Sequence, residues 1–171
     1  MRKRPFNSAE YERNMLLKLC LDRHFIAAVV IAPLVWISIG LLAHISDLIL
    51  LPTPTFSLQL LWFSALLYPV LEELTFRGLL QHYLLKIIPR KKQQLHYTPS
   101  AANILTSVIF TLCHWYLVNP NLISLLIFLP SLIFGHLRER FDSVIPAIFL
   151  HMFYNGGFIL TLLLLNTHNI Y

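Results

Sequence analysis

Two carboxylates and one guanidinium lie within a long apolar stretch of this sequence. Residues 68–78 contain Glu72, Glu73 and Arg77 among apolar neighbours. The four-residue spacing puts Glu73 and Arg77 on one helix face, where they can pair, and leaves Glu72 about 100° away around the helix. A charge at the centre of a membrane helix costs about 2.5–3.5 kcal/mol, so these groups should face protein or a water-filled cavity. We therefore predict one structural carboxylate, Glu73, and one carboxylate free for chemistry, Glu72.

Two later apolar stretches carry histidines. His114 follows Phe110 by four residues, and His151 precedes Asn155 by four. At about 1.5 Å per helical residue, Glu72, His114 and Asn155 should lie at similar depths, with His151 about one turn shallower. A carboxylate and an imidazole can activate water as a general base, while a second imidazole and an amide can donate hydrogen bonds to an oxyanion. Peptide hydrolysis requires both functions, so the combination favours a hydrolytic site.

Each of these groups also has an interpretation without catalysis. Glu73 and Arg77 could form a packing salt bridge, and a buried histidine or asparagine often serves as an interhelical hydrogen-bond partner. Buried Glu, His and Arg also line ion and proton pathways, although many transporters carry internal repeats and this sequence has none. A non-catalytic membrane protein that binds a partner through the same pocket is a further alternative.

The elements that must position these residues are apolar enough to cross a membrane. The chain has 171 residues, of which 57% are hydrophobic and only 12% charged, which excludes an ordinary soluble globule. Cys20 and Cys113 fit neither a disulfide framework nor a CxxC motif. Five apolar stretches predict an all-α, multi-pass transmembrane helical bundle with about five spans, at residues 25–45, 58–88, 101–118, 122–137 and 144–165.

The placement of the basic residues supports this topology. A net charge of +5 could suggest nucleic acid or anionic lipid as a partner. All but one of the thirteen Lys and Arg fall on one side of the predicted spans, at positions 2–4, 13, 18, 23, 86, 90–92, 138 and 140. The positive-inside rule then places the N-terminus in the cytoplasm and the C-terminus outside, with a lipid bilayer and no nucleic acid as partner. Residues 1–23 are expected to form a cytoplasmic or interfacial segment, and residues 24–171 the membrane domain.

Three short motifs carry a resemblance to a known family. In chain order on successive predicted helices they read Glu72-Glu73-x-x-x-Arg77, Phe110-x-x-x-His114 and His151-x-x-x-Asn155. Together they resemble the motifs of the CPBP family, also called ABI proteins, which includes the prenyl-protein CAAX endopeptidases and bacteriocin-processing enzymes. The resemblance covers about residues 58–162, although family members commonly have more spans than the five predicted for this chain.

The resemblance implies an intramembrane endopeptidase that cleaves a membrane-anchored protein or peptide. It implies that Glu72 and His114 activate water, that His151 and Asn155 bind the oxyanion, and that Glu73 and Arg77 organise the motif. A glutamate mechanism without a cofactor is favoured, and zinc, held by Glu72, His114 and His151, is the alternative. The small size resembles bacterial, myxosortase-like sorting proteases, which suggests C-terminal anchor processing at a bacterial inner membrane. The oligomeric state does not follow from the sequence.

Overall fold

The chain is built from helices. The computed structural model describes residues 8–45, 57–88, 98–117, 120 and 122–166, and these form six helices and no strand. The basic residues at 2–4 and 90–92 and the tail at 167–171 lie outside the described residues. In chain order the helices are α1 (Ser8–Leu21), α2 (Arg23–Ile45), α3 (residues 58–87), α4 (Ala101–Leu117), α5 (Phe128–Phe141, after a 3₁₀ turn at Leu122–Ile127) and α6 (Ile145–Asn166). The predicted all-α class is confirmed.

Helix α3 changes its hydrogen-bonding pattern along its length. It is α-helical at Leu58–Leu60, Tyr68–Glu73 and His82–Ile87, and π-helical at Leu61–Leu67 and Leu74–Gln81. Pro69 explains why the segment before it is π-helical. It has no N–H to donate, and in a regular α-helix its ring would clash with the carbonyl four residues earlier. The helix thus accommodates Pro69 by a wider helical turn just before it. The carboxylate pair lies on the single α-helical segment between two π-helical ones, an arrangement frequent at functional sites.

The helix ends are fixed by side chains that the sequence provides. Asp22 separates α1 from α2, and its Oδ1 accepts hydrogen bonds from the backbone N–H groups of His24 (3.0 Å) and Phe25 (3.1 Å). This is an N-cap, which satisfies donors that have no partner inside the helix. Helix α5 ends at Phe141, and the next residue, Asp142, adopts a left-handed conformation with φ of 47°.

Helix α6 lies at the centre of the packing, against α2, α5 and the first half of α3. Helix α4 packs instead against α5 and the second half of α3. The apolar core between α2, α5 and α6 consists of small and large side chains in alternation: Ala28, Phe134, Leu137, Ala147 and Leu150. This arrangement brings α3, α4 and α6, the three motif-bearing helices, around one point.

Two of the described helices are long and apolar enough to cross a membrane. These are Arg23–Leu41 and Ile145–Leu164, while Ala101–Leu117 is apolar but shorter. Many of their Leu, Ile and Val side chains are exposed, as expected where lipid rather than water surrounds them. The helical bundle is therefore supported, whereas the number of five spans and their orientation stay predictions.

Candidate active site

The Glu73–Arg77 ion pair predicted from the spacing is present. Arg77 Nη1 lies 3.2 Å from Glu73 Oε1, and both side chains are fully buried. Arg77 Nη2 also donates to the carbonyl (3.0 Å) and the hydroxyl (2.7 Å) of Ser131 on α5. The guanidinium carbon lies 4.5 Å from the centroid of the Phe110 ring on α4, a cation–π contact. Arg77 therefore links α3, α4 and α5, and these contacts offset part of the free-energy cost of burying its charge.

His151 is oriented by the same ion pair. Its Nδ1 lies 2.9 Å from Glu73 Oε1, and its ring stacks on Phe134 at a centroid distance of 4.9 Å and an angle of 24°. Because the Glu73 carboxylate paired with Arg77 accepts, the imidazole donates through Nδ1. In the neutral ring the lone pair is then on Nε2. Glu73 and Phe134 thus fix both the tautomer and the direction of His151.

Glu72 faces away from the ion pair and toward two imidazoles. Its Oε2 lies 3.6 Å from Nε2 of His151 and 3.6 Å from Nε2 of His114. His114 in turn is fixed by Nδ1, which donates to the backbone carbonyl of Phe110 at 3.1 Å. In its neutral form, His114 therefore also presents the Nε2 lone pair to Glu72. Both side chains are partly accessible, at 26% for Glu72 and 17% for His114.

When both imidazoles are neutral, three hydrogen-bond acceptors therefore lie close together: Glu72 Oε2, His114 Nε2 and His151 Nε2. Among the described residues no donor forms a hydrogen bond with Glu72 Oε2. At 3.6 Å neither imidazole forms a direct hydrogen bond with Oε2, and a water that donated to both atoms would need a wider gap. A water that donates to the Glu72 carboxylate beside these imidazoles would have its oxygen lone pairs turned outward. That is the orientation of a nucleophile beside its general base.

Asn155 lies one helical turn away from this point. Its Nδ2 donates to the backbone carbonyl of Ser64 in α3 at 2.9 Å. The depth count was wrong in placing Asn155 level with Glu72 and His151 a turn shallower, since it is His151 that contacts the carboxylates. The count assumed the regular α-helical rise of about 1.5 Å per residue. Leu74–Gln81 is π-helical, and its wider turns hold more residues per unit length, so the count overestimated the depth of Glu72. The oxyanion role of Asn155 stays a prediction.

Several buried polar residues near the site belong to none of the three sequence motifs and were not predicted. Gln81 Nε2 donates to the Gly135 carbonyl (3.0 Å) and to Glu139 Oε1 (2.9 Å), and Asn103 Nδ2 donates to the Leu132 carbonyl (3.0 Å). Polar and small residues recur every four positions on the three facing helices, and this spacing is the signal that could have found them: Glu73, Arg77 and Gln81; Asn103, Ser107 and Thr111; Ser131, Gly135 and Glu139.

A zinc ion would use Glu72, His114 and His151, the set that the sequence leaves open. The two separations of 3.6 Å are close to the spacing of about 3.3–3.5 Å between ligand atoms of one tetrahedral Zn²⁺, and held Nδ1 atoms are usual for zinc-binding histidines. Within the described residues, however, no group of three or more His, Cys, Asp or Glu is arranged to hold a metal ion. Two of the three pairwise separations thus fit, but the complete ligand set does not.

Comparison with known proteins gives one match. A family model described as "Type II CAAX prenyl endopeptidase Rce1-like" matches residues 53–157, which is more than half of the chain. Neither a curated protein nor a solved structure matches. The matched range contains all six residues that the sequence predicts for the site, from Glu72 to Asn155.

Proposed function

The chain belongs to the Rce1-like family of type II CAAX prenyl endopeptidases, and on this premise we propose that it is an intramembrane endopeptidase that hydrolyses a peptide bond in a membrane-anchored protein. One observation carries the proposal. A partly accessible carboxylate, Glu72, lies 3.6 Å from two imidazole nitrogens whose other ring nitrogens are already engaged. The geometry supports Glu72 as the general base.

In the proposed reaction, water bound at Glu72 and next to His114 attacks the carbonyl carbon of the scissile peptide. Glu72 takes a proton from the water as the water oxygen forms the new bond to the carbonyl carbon, and a tetrahedral oxyanion results. Collapse of that intermediate breaks the C–N bond, and the proton on Glu72 passes to the leaving amine. When protonated at Nε2, His151 can donate to the oxyanion, because Glu73 holds its ring toward the same space.

The family and the apolar helices support a proposal for the substrate and its setting. We propose a protein substrate held by a C-terminal lipid or membrane segment, processed within a multi-pass bundle whose N-terminus is cytoplasmic. A bacterial inner membrane is the proposed location. The exposed apolar faces of α2 and α6 support an embedded protein.

The first test replaces the proposed base by its isostere. Wild type, Glu72→Gln and the control Asp142→Asn, whose carboxylate is 96% exposed, are purified in detergent and checked for helicity. Each is then incubated with a quenched fluorescent peptide that carries a prenylated CAAX terminus. Glu72→Gln should lower kcat by about 10²–10⁴-fold, the usual contribution of a general base, and Asp142→Asn should not. A folded Glu72→Gln variant that cleaves at the wild-type rate removes Glu72 from this role.

A second measurement on the same samples addresses zinc. We propose a reaction without metal, for which EDTA and 1,10-phenanthroline should leave the cleavage rate unchanged. Metal analysis of the active preparation should then find less than one equivalent of zinc. Loss of activity on chelation with recovery on added Zn²⁺ would instead make Glu72, His114 and His151 metal ligands.

A further inference from the structure

The carbonyl of Ser64 has lost its donor within helix α3. In the π-helical segment Leu61–Leu67, donors reach five residues back, so the N–H of Tyr68 donates to the carbonyl of Phe63. The next donor in this register would be residue 69, opposite Ser64. Residue 69 is Pro69, which has no N–H. A carbonyl without a donor is costly even where it is only partly buried in an apolar bundle.

A side chain of another helix supplies the missing hydrogen. Asn155 Nδ2 donates to the Ser64 carbonyl at 2.9 Å. The next residue, Gly156, lies beside the same part of α3, since a Cβ added there would be in ordinary contact with the Ala65 side chain at 3.7 Å. The amide of Asn155 thus occupies the place of a backbone donor.

Helix α6 contacts α3 on both sides of the proline. Asn155 holds the turn before Pro69, and His151, one turn earlier on α6, contacts Glu72 and Glu73 after it. The segment Tyr68–Glu73, which carries the proposed base, lies between these two contacts. Its position relative to His151 therefore depends on the hydrogen bond to Ser64.

We propose that Asn155 is a positioning residue: its side-chain amide replaces the backbone donor that Pro69 lacks and so fixes the turn that carries Glu72 against α6. This inference rests on the proposed function only where it names Glu72 as the base. It is distinct from the oxyanion role that the family resemblance implies, because it uses one of the two N–H donors of the Asn155 amide within the protein, and the two roles predict different results in the cycle below. It also makes a specific prediction, namely that residues 155 and 69 depend on each other.

A double-mutant cycle tests this dependence. Asn155→Ala should lower kcat by about 10- to 100-fold, the scale expected when catalytic groups are misplaced by about 1 Å. In a Pro69→Ala background, where a backbone N–H is restored, the same change should lower kcat by less than about 3-fold, since coupled residues are not additive. Asn155→Asp, which keeps the shape but lacks the donor, should behave like Asn155→Ala. An oxyanion donor would instead lose the same factor in both backgrounds, which would overturn the proposal.

Pro33 provides the matched control, because it also lies inside a helix, but in α2, whereas Asn155 donates its hydrogen bond to α3. In a Pro33→Ala background, the loss on Asn155→Ala should equal that in wild type. If Pro69→Ala does not fold, Pro69→Gly restores the same N–H and replaces it in the cycle.

A spectroscopic measurement separates this inference from the proposed function and needs no proline variant. With serine labelled by ¹³C at the carbonyl, the infrared difference between wild type and Asn155→Ala should show one serine carbonyl band moving to higher wavenumber. No shift in folded protein would refute the hydrogen bond whether or not the chain is a protease. If the band shifts and the wild type cleaves no peptide, the proposed function fails while the contact stands.

Discussion

Removal of the buried cation Arg77 should destabilise the protein far more than removal of a surface cation. In Arg77→Met the side-chain volume is largely kept, but Glu73 stays fully buried, and of the residues that the structure describes only His151 remains as its partner. Breaking a buried ion pair from one side costs about 3–5 kcal/mol, because the remaining charge is uncompensated. The two hydrogen bonds to Ser131 are lost as well. We therefore expect a loss at the upper end of that range.

The double variant Glu73→Gln/Arg77→Met shows whether the charge itself is responsible. It removes both members of the pair, and such replacements are often close to neutral, so its cost should be at least about 2 kcal/mol below the sum of the two single variants. Arg140→Met is the control. Arg140 is 34% exposed, and its partner Asp22, at 2.6 Å and 10% exposed, keeps its hydrogen bonds from the N–H groups of His24 and Phe25. We therefore expect a loss of about 0–1 kcal/mol, as for pairs near the surface.

Thermal unfolding in one detergent, followed by circular dichroism, provides the comparison. For a chain of this size, about 1 kcal/mol corresponds to roughly 2–4 °C, so a loss of about 5 kcal/mol in Arg77→Met should lower the midpoint by about 10–20 °C. Arg140→Met should lower it by less than about 4 °C. The reasoning is refuted if the two single variants unfold at the same temperature, or if the costs of Glu73→Gln and Arg77→Met simply add.

Two further predictions concern packing and pH. Gly135→Ala should lower the unfolding midpoint by several degrees, since its new Cβ would lie 1.9 Å from Asn103 Oδ1, whereas Gly78→Ala, with its nearest atom at 3.7 Å, should not. Partial burial tends to raise the pKa of Asp22, but hydrogen bonds from Arg140 and from backbone N–H groups outweigh it and hold the pKa below its ordinary 3.8. The stability that Asp22 adds is therefore complete above pH 3.8 and lost as the pH falls through its lower folded-state pKa, so wild type should unfold at a higher temperature than Asp22→Asn at neutral pH and lose that advantage in acid.

The parts of the site that follow from helical periodicity could be predicted from the sequence. Glu73 pairs with Arg77 because residues four apart share a helix face, and Glu72 diverges for the same reason. The helix bounds were also predictable within a few residues, since long apolar runs between polar breaks leave little choice. Both inferences depend only on local geometry.

The contacts between helices could not be obtained in this way. Ser131 and Phe134 belong to none of the three motifs, yet they hold Arg77 and His151. Their part depends on where α5 crosses α3 and α6, which no periodicity encodes. The depth of Glu72 was misjudged for a related reason, because no proline or other residue pattern marks the π-helical segment Leu74–Gln81.

The two adjacent glutamates have different roles because Glu73 interacts with the N–H donors of Arg77 and His151, whereas Glu72 does not. Glu73 Oε1 interacts with both Arg77 and His151, so a proton taken up by Glu73 would weaken an ion pair and release the orientation of His151. Glu72 has no such partners, and its neighbours present lone pairs rather than N–H groups. A proton on Glu72 is therefore shared with imidazoles instead of opposing a guanidinium. Since a general base must gain and lose a proton in every turnover, the carboxylate with the fewest structural partners is the one that can do so without disturbing the bundle.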